Sequence, residues 1–206
     1  MTDIIKNYLF VNVICDSALV VLAYVSWNNV LLIPKMKKYF FAAVLAVMVV
    51  IGAEMACVIF ENIRIMDRVH AIVANSIGFS LSPFIAIILS EAFLVEKGKI
   101  RSFLTIPAWV NLIFVISSPW TGLVFRIYMD NNYLRGPYFG VYIFAYLYSY
   151  VILIMDAFKS MERYQCYSKC GFFILLVFTI TGTSIQLVFP KVHVSWMCVT
   201  LYLILF

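Results

Sequence analysis

Seven apolar runs, the first six closed by a proline or a knot of charge, account for about three quarters of the chain. The first five cover residues 4–33, 39–63, 69–95, 103–118 and 137–158, and the last two cover 171–189 and 194–206. A helix needs about 20 mostly apolar residues to cross a hydrocarbon core about 30 Å thick, and only a helix or a closed barrel satisfies its backbone there. The first six runs are of helix length and mostly apolar, so each reads as a membrane-spanning helix, and the seventh reads as the start of one. Composition closes the argument. Of the 206 residues 65% are hydrophobic and 12% charged, against roughly 45–50% and 25% in soluble domains. A water-soluble fold could not hide that much apolar surface. A secreted disulfide scaffold, a disordered tail and an ordinary cytosolic enzyme are excluded.

The net charge of +5 belongs to topology rather than to nucleic acid, because the basic residues cluster between the runs. Nine of them (Lys35, Lys37, Lys38, Lys97, Lys99, Arg101, Lys159, Arg163, Lys169) follow the first, third and fifth spans, and six (Lys6, Arg64, Arg68, Arg126, Arg135, Lys191) lie on the other side. The positive-inside rule then puts the N-terminus outside. Cysteine labelling from outside is expected to reach a probe at Asn131 and not one at Gly98; the reverse pattern would overturn this orientation. No cleavable leader is expected, since a basic n-region and a small-residue cleavage site are missing from the first run. Cys15, Cys57, Cys166, Cys170 and Cys198 imply no disulfide, and Cys166 with Cys170 lacks the companions of a metal site.

The last run has 13 residues, about 20 Å of helix, too short to cross. The chain is therefore expected to be one seven-span domain, 1–206, cut inside or just after its last helix. The bundle is expected to be all-α, with a short β-hairpin in the long outer loop between the fourth and fifth helices. Residues 124–129 and 133–135 are rich in β-formers and flank Asp130-Asn131-Asn132, a turn composition. Two strands alone are marginal in water, so the hairpin should rest on the helix ends as a partial lid, anchored by Trp120 and Phe125, with the fifth helix opening at Pro137.

Ionisable groups inside a bilayer are costly and by default functional. Five stand out: Asp16, Glu54, Glu61, Glu91 and Asp156. Glu91 and Asp156 lie near the inner surface, where Lys97 and Lys159 are placed to pair with them. Glu54 and Glu61 share one face of the second span, about 10 Å apart. Polar residues repeat at helical spacing on other spans: Asn12 and Asp16, Ser76 and Ser80 beside Asn75, and Thr179, Thr183 and Gln186. Most fall in the outer half, the depth expected of a water-filled cavity open outward. Glu54, Asn75, Ser76, Asn111, Tyr142 and Gln186 are the candidate ligand-binding residues. Tyr138, Tyr142, Tyr146 and Tyr150 form an aromatic stripe whose plain role is packing. His70 and His193 have no third ligand. No catalytic residue, metal site or cofactor is expected: a phosphate loop, a Gly-rich dinucleotide turn and a metalloprotease helix are all missing, as is a lysine in the last run that could bind retinal.

One stretch carries a resemblance. The interval 117–137, ending Arg135-Gly136-Pro137 and followed by Tyr138 and Phe139, resembles the long outer loop in the N-terminal seven-transmembrane region of bacterial histidine kinases and diguanylate cyclases. The third span, with Asn75, Gly78, Phe79, Ser80, Leu81, Ser82 and Pro83, is similar to the same family, as is an acidic residue in the second span, Glu54. The resemblance implies a sensory input module in the bacterial plasma membrane. Its partners would be the lipid bilayer, a small ligand and a cytoplasmic kinase or cyclase domain, with a homodimer as a compatible assembly. The alternative is a small-solute transporter or channel, whose expected signature of two similar halves is not evident.

Overall fold

The computed structural model describes residues 3–30, 33–62, 68–93, 99–128 and 133–164, together with positions 177, 181, 185, 198–200 and 203. Within them run α1 (Asp3–Asn28), α2 (Pro34–Asn62), α3 (Arg68–Phe93), α4 (Lys99–Leu104), α5 (Ile106–Thr121), β1 (Phe125–Ile127), β2 (Tyr133–Arg135) and α6 (Phe139–Tyr164). Five spans among the described residues are long and apolar enough to cross a membrane, α4 and α5 counting together as one. The expected sixth and seventh spans fall mostly outside the described residues. Cys198, Val199 and Leu203 are buried, and Val199 and Leu203 join the core of α1, α2 and α3.

Prolines set the element boundaries by the donor they lack. Pro34 closes nothing by itself; it is the first residue of α2, where an N–H would be orphaned anyway. The carbonyls in the last turn of α1 take side-chain donors: Asn28 Nδ2 bonds the Tyr24 oxygen at 3.0 Å and Lys37 Nζ the Trp27 oxygen at 3.1 Å. Pro107, in the first turn of α5, breaks the fourth span at Thr105, so what reads as one straight run is a short helix and a longer one. Pro119 does not end α5 as expected. The helix runs on to Thr121 and stops at Gly122, whose φ of 67° is left-handed and whose N–H bonds the Ser118 carbonyl at 2.7 Å.

The hairpin is present. β1 and β2 pair antiparallel in the register Phe125↔Arg135, Arg126↔Leu134, Ile127↔Tyr133. Phe125 and Ile127 point inward and are buried, and Arg126 between them is exposed, the alternation a half-buried strand requires. Phe125 anchors the hairpin as expected. Trp120 does not: it lies in the last turn of α5 and is 82% exposed, because the helix continues past Pro119 and turns it outward. α6 opens at Phe139 rather than Pro137: Pro137 and Tyr138 form a turn ahead of it, closed by the Phe139 N–H on the Gly136 carbonyl at 3.2 Å, and the Tyr138 N–H bonds the Leu123 carbonyl at 2.8 Å.

α3 is central, packing on α2, α5, α6 and β1. Two apolar clusters stack along it. One, at the hairpin end, joins Ala71, Val115, Phe125, Ile127 and Phe139. The other, toward the opposite end, joins Leu19, Val44, Val47, Leu89, Leu153 and Ala157. The distribution of polarity is that of a membrane bundle. Asn12, Ser82, Ser90, Asn111, Ser149 and Asp156 are buried, whereas Phe10, Val21, Tyr24, Val69, Ile113 and Phe144 face outward. In water such a surface would be a liability; in lipid it is the required one.

Candidate functional site

At the hairpin end a polar cluster links α1, α2, α3 and α6. Glu54, on α2, accepts a hydrogen bond from Tyr8 Oη of α1 at 3.2 Å. One turn along α1, the buried Asn12 donates its Nδ2 to the Tyr8 carbonyl at 3.0 Å. Tyr142 of α6 approaches from the other side. Glu54, Tyr133 and Tyr146 all lie close enough to its hydroxyl to interact with it electrostatically, and Ser82 of α3 is within hydrogen-bonding range. One carboxylate and two phenols from α1, α2 and α6 thus lie near one another, half-buried, with Ser82 of α3 beside Tyr142.

An aromatic hub ties this cluster to the hairpin. The Phe79 ring meets Tyr142 edge-on with centroids 4.8 Å apart, and it also contacts Phe125 and Tyr133 of the hairpin and Phe139 of α6. The hairpin therefore sits on the same side chain that packs against Tyr142. Arg135 extends over the Phe139 ring, 4.8 Å from its centroid, a cation–π contact at the base of the lid. The tyrosine stripe continues inward from Tyr142 to Tyr146 and Tyr150 with centroids 6.1 and 6.2 Å apart, joining the two apolar clusters.

The candidate residues divide by what they do. Glu54 and Tyr142 come together. Asn75 lies on the same α3 face as Phe79 and Ser82 but donates its Nδ2 to its own helix, to the Ala71 carbonyl at 2.9 Å. Ser76 is half-buried on α3, about 100° around the helix from Asn75. Asn111 has a backbone partner. Pro83 has no N–H to offer the Phe79 carbonyl four residues earlier, and Asn111 Nδ2 of α5 takes that place at 3.0 Å. Asn111 is fully buried there, and its Oδ1 has no hydrogen-bond donor among the described residues. Gln186 and the Glu61 side chain lie outside the described residues.

Tyr8 and Ser82 belong to the cluster and were not among the sequence candidates. Tyr8 carries a signal in hindsight, since Tyr8, Asn12 and Asp16 repeat every fourth residue on α1. Asp16 lies at the middle of its span, and its Oδ1 is buried without a hydrogen-bond donor among the described residues. The opposite end of the bundle departs from expectation. Asp156 is buried and accepts a hydrogen bond from Ser90 Oγ of α3, rather than turning outward toward Lys159, which is exposed. A carboxyl this deep gains more from a fixed donor than from a distant cation.

Tyr8→Phe removes the donor to Glu54 with little change of shape. Interhelical hydrogen bonds in membranes average about 0.6 kcal/mol and reach about 1.7, so thermal unfolding in detergent is expected to show a loss of about 1 kcal/mol. An unchanged melting temperature would mean that the bond carries no stability.

No group of three or more His, Cys, Asp or Glu side chains among the described residues could hold a metal ion. The chain matches no known family model, and comparisons with curated proteins and with solved structures find no match.

Proposed function

We propose that this chain is the membrane-embedded input module of a bacterial signalling protein. In this reading the hairpin end faces outward, a small ligand binds among Tyr8, Glu54, Ser82 and Tyr142, and the bundle passes the change to a cytoplasmic kinase or cyclase domain. The observation that carries the reading is the Tyr8–Glu54 bond between α1 and α2, with Tyr142 of α6 near enough to interact electrostatically with Glu54 and packed against the Phe79 ring that seats the hairpin. A carboxylate shared between helices is costly to keep in a membrane. Its surroundings give a polar ligand something to exchange with: binding that replaces the Tyr8 bond would change how α1 and α2 sit relative to α6. A two-state bundle responds to a ligand only through such differential contacts. The resemblance of residues 117–137 and of the third span to sensor regions of histidine kinases and cyclases points the same way.

The test is a fusion of the chain to a cytoplasmic diguanylate cyclase, with output measured at matched protein levels. Glu54→Gln is expected to shift basal output about fivefold or more, the lower end of typical coupling free energies. Phe10→Ala, on the lipid-facing side of α1, should leave it unchanged. Equal output from wild type and Glu54→Gln, or solute flux in liposomes that Glu54→Gln abolishes, would overturn the proposal, the latter in favour of a transporter.

A further inference from the structure

Two features that bend helices meet in one turn of α3. Pro83 withholds the N–H that the Phe79 carbonyl would take, and a proline ring crowds the carbonyl four residues before it. Ser82 turns its hydroxyl back onto the Gly78 carbonyl at 2.6 Å, a bond that bends helices. Two adjacent carbonyls therefore take bonds from side chains. Sharp kinks, above about 20°, arise at prolines in this way.

The packing divides at the same place. On α3, Ala71, Ile72 and Phe79 belong to the apolar cluster under the hairpin, and Leu81, Ile85 and Leu89 to the opposite one. The Ser90–Asp156 bond fixes the second half to α6. Gly78 leaves room beside the turn, since a Cβ built there would meet nothing within 4 Å. The turn itself is held from α5, where Asn111 Nδ2 bonds the Phe79 carbonyl at 3.0 Å. The Asn111 Oδ1 has no donor among the described residues, so this side chain holds α3 through its Nδ2 alone. Phe79 is also the residue whose ring carries Phe125 and Tyr133. The bond that fixes the turn and the ring that seats the hairpin thus belong to one residue.

We propose that α3 is a hinged helix, its hairpin-side segment 68–78 pivoting on the turn 79–83, with Asn111 as the latch that holds the angle. When the latch opens, that segment leans away from α5 and takes the Phe79 ring with it, which loosens the seat of the hairpin. The hinge needs only α3, α5 and the hairpin, and it stands apart from any ligand at Glu54.

Double electron–electron resonance on the full chain in nanodiscs tests this, with the five native cysteines replaced by alanine. Nitroxides go at Val73 of α3 and Met155 of α6, which are 51% and 53% exposed and lie on opposite sides of the hinge. Val73 stands eight residues before Leu81, in the middle of the turn. That is a lever of about 12 Å, and a change of about 20° moves its end by about 4 Å. The wild type is expected to give one narrow distance. Asn111→Ala should add a second, about 4 Å away, and Pro83→Ala in that background should remove it, because the helix ladder then closes without the latch. Asn111→Leu, which leaves no cavity, gives the same readout if Asn111→Ala does not fold. A control pair at Val21 and Met155, off α3, should keep one distance throughout. A single narrow distance in the Asn111 variant, a second distance that persists with Pro83→Ala, or a parallel change in the control pair would overturn the hinge. Two distances in the wild type, in the same ratio as in the Asn111 variant, would overturn Asn111 as its latch.

Discussion

Gly136→Ala is expected to unseat the hairpin. A Cβ at this position would fall inside hard contact with the backbone oxygens of Gly122 and Leu123. These are rigid backbone atoms, not side-chain tips that could swing away. The close approach is what lets the Gly136 N–H reach the Val124 carbonyl at 2.7 Å and the Tyr138 N–H reach Leu123 at 2.8 Å. Relief requires both strands to shift, which withdraws Phe125 from Phe79 and exposes Ile127. Overpacking alone costs about 1–3 kcal/mol, and the loss of two backbone bonds and an aromatic anchor places the total at about 3 kcal/mol or above. Hydrogen exchange should show protection lost at residues 124–127 and 133–138 while α1 and the inner half of α3 keep theirs. Wild-type protection in Gly136→Ala would contradict the docked geometry.

The second large effect concerns the proline in α3. Asn111→Leu keeps a branched side chain, adds some volume, and removes the donor that serves the Phe79 carbonyl. That carbonyl would then be buried with no intrahelical donor, because residue 83 is proline. An orphaned buried carbonyl costs about 1–3 kcal/mol, and about 2 kcal/mol of destabilisation is expected in thermal unfolding. The diagnostic is a double-mutant cycle. Pro83→Ala restores an N–H four residues after Phe79, so Asn111→Leu in that background should cost clearly less than in the wild type. Equal costs in the two backgrounds would show that Asn111 does not serve the proline gap.

What the sequence made legible follows from the range of each interaction. Span positions come from local composition, and the structure places all five described spans within a few residues of the expected runs. The hairpin came from strand formers around an Asp-Asn-Asn turn, and Phe125 from its place in the alternation. Trp120 misled because an aromatic at a helix end serves equally as an anchor or as a lipid-facing residue, and which one depends on where the helix stops. Pro34 and Pro119 were each read one step too strongly as helix ends, and Pro137 as a helix start when it lies in the turn before α6. A proline withholds one donor; it does not forbid the residue from the first or last turn of a helix.

The candidate site was legible only by depth. Glu54 and Tyr142 share a level in the membrane, and so do Asn75 and Asn111, yet only the first pair converges. Asn111 is explained by a proline 28 positions earlier on another helix, and Ser90 by a carboxyl on α6. Pairings of that kind depend on how α3, α5 and α6 pack, and no local pattern encodes them.

The central claim is that Glu54 stands in a polar site open to the hairpin side of the membrane. Substituted-cysteine labelling tests it most directly. In a background with the five native cysteines replaced by alanine, single cysteines are placed at Glu54 and at Phe10. Phe10 lies two residues from Tyr8 on the lipid-facing side of α1, at a similar depth. A charged, membrane-impermeant maleimide is applied to sealed vesicles from each side in turn. The account predicts that position 54 is labelled from the hairpin side and position 10 from neither. Labelling of position 54 only from the opposite side, or no labelling at either position, would contradict it.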